Sequence, residues 1–189
     1  KMSPRNMLTT TIGDELKIAT DFKAKVIGVS LKDRAAILPA GHAADGAYWI
    51  DYSTGTFISS TYYMKELPKW AVDYNKSIGK VTKDQICYTP LGNKITEEMA
   101  KAAVAGEQLG GDNVTDLLAV SFSCTDMIGH KYGTHSDKTR EIYVDLDKRL
   151  ADLFGYLDQN VGKDQYLVFL MADHGAANSI LLSREHGIP

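Results

Sequence analysis

Tyr166-Leu-Val-Phe-Leu-Met-Ala-Asp173-His174-Gly175 is the stretch on which the fold reading turns. Its first six residues, five of them apolar, run directly into an acid, an imidazole and a glycine. A buried parallel strand reads this way when its C-terminal end opens onto a polar site. Ligands of open α/β sheets bind beyond the carboxyl ends of the strands, so Asp173 and His174 are expected where a metal or a catalytic pair belongs.

A second stretch repeats the arrangement. Asp116-Leu-Leu-Ala-Val-Ser-Phe-Ser123 is another short apolar run, and it delivers Asp126 and His130 just past its end. Four residues apart, these two share a face if the segment makes a helical turn. Two strand ends that each offer a carboxylate and an imidazole suit zinc, manganese or iron better than magnesium or calcium, which prefer all-oxygen shells. The four ligands form one closed site or are shared between two metals.

Working outward, Lys25-Val-Ile-Gly-Val-Ser-Leu31 predicts a third buried strand, whose end delivers Lys32 and Arg34. Ala47–Tyr52 and Thr56–Thr61 predict a β-hairpin about Ser53-Thr54-Gly55, an excursion from the parallel sheet. Its Tyr48, Trp49 and Tyr52 either pack the hairpin or line a substrate wall. Helices are expected after Ser3-Pro4, through Leu8, Ile12, Leu16 and Ala19; over Pro68–Ser77; from Thr96 to about Leu109; and from Ser136 or Asp137 through Ile142, Leu146, Leu150, Leu153 and Leu157. The last is expected to cross back over the sheet into the strand at Tyr166, closing a β-α-β unit. Gly79–Asn93 reads as irregular chain. The expectation is a single α/β domain over residues 1–189, with a mostly parallel sheet flanked by helices.

Net charge −3 and a pI near 5.9 provide no basic field for gripping nucleic acid, and no apolar run approaches the length that spans a bilayer. Cys87 and Cys124 lack metal-site spacing. His42 and His135 stand as loop histidines outside the ligand set.

Asp126-x-x-Gly129-His130-x-x-Gly133, followed about 40 residues later by Ala172-Asp173-His174-Gly175, resembles the alkaline phosphatase superfamily, in its type I phosphodiesterase/nucleotide pyrophosphatase branch. Lys32-Asp33-Arg34, Ser3-Pro4-Arg5-Asn6, Leu38-Pro-Ala-Gly-His42 and Tyr62-Tyr-Met-Lys-Glu-Leu-Pro68 are similar to words of its PafA-type bacterial alkaline phosphatases. The resemblance implies two zinc ions, one held by Asp126 and His130 and the other by Asp173 and His174, with Lys32 and Arg34 on the non-bridging phosphate oxygens. It further implies hydrolysis of a small phosphate monoester through a phosphorylated Thr or Ser, and an exported, periplasmic setting. By the same comparison the nucleophile and an aspartate lie upstream of Lys1, and a last histidine beyond Pro189. His186 is not assigned to that role. The chain is therefore expected to be an internal segment of a larger enzyme, inactive by itself. A phosphodiesterase of the same superfamily is the alternative activity.

Overall fold

The computed structural model describes residues 2–177. His186 lies outside them.

Four strands form one sheet in the order β3-β2-β1-β4, with β1 at Val26–Ser30, β2 at Gly46–Asp51, β3 at Thr56–Ile58 and β4 at Leu117–Ser121. β1 pairs in parallel with both β2 and β4, and β3 closes the far side antiparallel to β2. The mostly parallel α/β architecture follows the sequence reading. The hairpin is not an excursion, because its first strand is an inner strand of the sheet.

Alternation along β1 and β2 supplies two apolar faces. Ile27, Val29, Tyr48 and Ile50 belong to the larger core, and Val26, Ala47 and Trp49 to the smaller one. Being covered on both sides, β1 is buried at every position, the reason it reads as a continuous apolar run. The smaller core is completed by Ala36, Ile37 and Ala40 of α2 (Asp33–Ala40), which connects β1 to β2. Gly28 makes this close approach possible: a Cβ there would lie 2.2 Å from the Ala36 carbonyl oxygen. Tyr48 and Trp49 are buried in the cores and form no substrate wall, and Tyr52 packs partly buried against the larger core.

The larger core receives α3 (Lys69–Ile78), α4 (Lys83–Tyr88), α5 (Pro90–Glu107), α6 (Cys124–Tyr132) and α7 (Asp137–Leu157). α4 stands where irregular chain is expected, set by a capping box between Thr82 and Gln85. α5 starts at Pro90 under a Thr89 cap, and Thr96 lies buried inside it, donating back to the Gly92 carbonyl. Proline fits that first position because its missing N–H has no helical partner to lose. At the N-terminus only a 3-10 turn, Pro4–Asn6, follows Ser3. α1 (Ile12–Ala19) begins later, at a Thr11–Asp14 capping box, and Leu8 is fully exposed.

The opening stretch is the main correction. Residues 166–171 form no strand, and Leu167, Phe169, Leu170 and Met171 are each more than 70% exposed. An apolar run becomes a strand only when a neighbour takes its N–H and C=O groups. No described strand pairs with this one. Nor does α7 lead into a β-α-β crossover. It packs on α5 and α6, and Gly162, at φ 115°, ends its π-helical extension. Polar contacts pin α7 to α5: Glu97, 1% exposed, pairs with Lys101 and Arg149, while Asn93 donates to Asp145.

Candidate active site

β1 leads through α2 to β2 on one side, while β4 flanks it on the other, so the chain switches direction between β1 and β4. Such a switch point opens a crevice at the carboxyl ends of the two strands. Lys32 stands just after β1 as the N-cap residue of α2. Asp126 stands just after β4, in the first turn of α6. Lys32 Nζ lies 2.5 Å from Asp126 Oδ2.

The other oxygen of Asp126 faces imidazoles. His130, one turn along α6, places Nε2 3.1 Å from Oδ1, and His174 places Nε2 3.9 Å from the same atom. The Lys32 ammonium holds the Asp126 carboxyl below the ordinary carboxylate range, against partial burial, and both histidines act in the same direction. The positive end of the α6 dipole favours the same anion. His174 is raised above the ordinary imidazole value by the Gly175 carbonyl, 2.9 Å from its Nδ1, and next by Asp173.

Lys32, Asp126, His130 and His174 are thus brought together. Arg34 is exposed on α2 and makes no ion pair with a described residue. Asp173 is 90% exposed, its Oδ2 3.7 Å from His174 Nε2. Among the described residues no group of three or more His, Cys, Asp or Glu is gathered tightly enough to hold a metal ion. The donor types do fit a zinc-like ion, since one Asp126 oxygen faces two imidazole nitrogens while the other faces Lys32.

His42 is remote from this crevice. It lies past the opposite end of α2, with Nδ1 3.3 Å from Asp14 and Nε2 3.1 Å from the Met7 carbonyl. It ties the end of α2 to Asp14 of α1 and to the Met7 carbonyl.

Comparison with known proteins places the chain in a family. The type I phosphodiesterase/nucleotide pyrophosphatase family matches residues 14–181. The chain belongs to that family. Within it, the chain is 42% identical to alkaline phosphatase PafA of Elizabethkingia meningoseptica, over 99% of its own length and 43% of the relative's. It is also 42% identical to alkaline phosphatase PhoV of Synechococcus elongatus, over 94% of this chain and 41% of that protein. The crystal structure of wild-type PafA superposes with a TM-score of 0.94 at 43% identity, covering 99% of this chain and 45% of that one; a PafA variant with a threonine, an asparagine, a lysine and an arginine replaced has also been solved. The chain spans less than half the length of these relatives.

Two groups of this family member's crevice escaped the sequence reading. Ser30 and Ser123 are buried beneath Lys32 and Asp126, with their hydroxyl oxygens 3.1 Å apart. Ser123-x-x-Asp126 does carry a signal, since Ser-x-x-acid before a helix is a capping pattern. Tyr52, one of the hairpin aromatics named from the sequence, donates to the carbonyl of Leu31 beside Lys32.

Proposed function

We propose that the protein is a phosphate monoester hydrolase of the alkaline phosphatase type. The observation that carries this reading is the juxtaposition of Lys32 and Asp126 at the β1/β4 crevice, with His130 and His174 on the second Asp126 oxygen. A cation beside a carboxylate–imidazole donor set suits a ligand that carries its own negative charge and is held against a metal.

Lys32 and Arg34 bind the non-bridging phosphate oxygens, one as a mobile ammonium and the other as a planar guanidinium. In PafA, a lysine and the arginine two residues after it are both replaced in the solved variant, the spacing found at Lys32 and Arg34. Asp126 and His130 would hold one zinc ion, and Asp173 and His174 a second. When bound, the ions supply charge neutralisation to the phosphoryl group and to the oxygens on either side of it. The hydroxyl that receives the phosphoryl group is not among the residues assigned here.

Two cationic contacts favour a dianionic monoester over a diester, whose second substituent removes one of the oxygens they would hold. The protein is assigned to an exported compartment by its likeness to the alkaline phosphatases. No helix among the described residues is long and apolar enough to cross a membrane. A second reading, an inert core when only these 189 residues are present, is favoured by one observation. The run leading to Asp173 and His174 is exposed and unpaired with any described strand.

Metal analysis of the full-length gene product, with turnover of p-nitrophenyl phosphate and bis-p-nitrophenyl phosphate, tests the assignment. Two zinc ions per chain and faster monoester turnover are expected. A protein with neither metal nor turnover overturns it.

A further inference from the structure

Among the described residues, three helices begin with a Ser or Thr followed three residues later by Asp or Gln. Two of these capping boxes close: Thr11 with Asp14 at α1, and Thr82 with Gln85 at α4, each making both reciprocal bonds. The third does not. Ser123 takes a helical backbone conformation, φ −86° and ψ −9°, and its side chain makes no cap hydrogen bond on α6. Asp126, the acid of the same box, turns to Lys32 and His130.

The Ser123 hydroxyl is directed instead at Ser30 Oγ, 3.1 Å away. Ser30 is fully buried at the end of β1. Its Oγ also lies 3.1 Å from the Ser121 carbonyl oxygen, and the Lys32 backbone N–H donates to it over 3.2 Å. A hydroxyl has one proton to give and two lone pairs to offer. The carbonyl only accepts and the amide only donates, so the Ser30 proton goes to Ser121 and Ser123 is the donor between the serines. Every hydrogen-bonding capacity of Ser30 Oγ is then filled. One atom joins the end of β4, the start of α6 and the backbone of Lys32.

We propose that Ser30 is a positioning residue: its hydroxyl draws Ser123 away from capping α6 and sets Lys32 against Asp126. The inference rests on the reading of those two residues as site groups. The chain carries the capping sequence and, at α1 and α4, the means to close it. At α6 that local stabilisation is given up in favour of a bond across the crevice.

Amide hydrogen exchange followed by NMR in Ser30→Ala and Ser123→Ala tests this. In Ser30→Ala the Lys32 amide is expected to exchange about tenfold faster, while the first-turn amides of α6, Thr125 and Asp126, slow as the freed Ser123 hydroxyl closes its box. A merely structural loss speeds exchange at both places, and that result overturns the proposal. Ser123→Ala is expected to leave the α6 first turn unchanged; faster exchange there means that Ser123 caps the helix, and the proposal falls. In the full-length gene product, Ser30→Ala is expected to lower kcat/KM about tenfold, and to cost nothing further once Lys32 is alanine. Additive losses overturn the coupling through Lys32. Absence of any turnover in the parent refutes the phosphatase reading and leaves the exchange result to decide the role of Ser30.

Discussion

Lys32 Nζ stands 2.5 Å from Asp126 Oδ2, although 94 residues separate them in the chain. The parallel pairing of β1 with β4 creates this contact, because it brings two strand ends level, Ser30 opposite Ser121, and each chain then continues into a helix. The ion pair marks where an anionic ligand would meet a cation already facing the donor set.

Removing Lys32 and Arg34 together is expected to separate monoester from diester chemistry. Lys32→Ala with Arg34→Ala in the full-length gene product is expected to lower monoester kcat/KM by about 10²–10³-fold, and diester turnover by less, because only the monoester presents enough terminal oxygens for both groups. Kinetics on the two p-nitrophenyl esters measure it. Equal losses contradict the assignment of these residues to the phosphate.

Acid sensitivity is expected from Asp14. Burial raises its pKa, but the Ala43 and Thr11 amides and His42 together outweigh that and hold the carboxyl below the ordinary range. A depressed carboxyl stabilises the fold above its unfolded-state pKa of about 3.9, and that contribution is lost as pH falls through the folded value. Asp14→Asn is expected to cost about 1–3 kcal/mol near neutrality and to flatten the fall in stability between pH 5 and pH 2. Urea unfolding across that range reads both effects.

Gly28 is expected to be intolerant of a methyl group. A Cβ there would meet the Ala36 carbonyl at 2.2 Å and the Ala40 Cβ at 3.1 Å, so α2 would have to move off the sheet. Gly28→Ala is expected to cost about 3 kcal/mol, lowering the melting temperature by roughly 6–12 °C at this chain length. Gly155→Ala in α7, where a Cβ meets nothing within 4 Å, is the control and is expected to gain roughly 0.5–1 kcal/mol. Calorimetry compares them.

The two thiols are expected to be inert in the folded chain. Burial, with Cys87 adding, pushes the Cys124 thiol up to about 12, and burial raises Cys87 as well. Thiolate, the reactive form, is then scarce at pH 8. A chromogenic disulfide reagent should label neither residue before unfolding and both in denaturant; rapid labelling of the native chain contradicts the packing of α4 against α6.

Two sheet members were legible as sequence, β1 buried throughout and β4 half-buried at every position. β1 and β4 are short apolar runs ending in polar residues, and α7 carries a helical apolar period under a Ser136 cap. α4 was missed because six residues are too few to show a period; only its capping box marks it. Tyr166–Met171 was misread for the opposite reason, its composition being that of a strand. Composition states what a segment would bury, and says nothing of whether another strand lies beside it.

By itself the sequence determined the α/β class, the strand ends that carry Lys32 and Asp126, the i,i+4 placement of His130 and the family. Those are local properties, written in apolar period, spacing and motif. Tertiary structure alone decided that Lys32 meets Asp126, that Asp173 and Arg34 stand apart from them, and that Ser123 bonds Ser30 instead of its own helix. Each depends on which strands are neighbours, a pairing that costs chain entropy over many tens of residues and is repaid only by the core it closes.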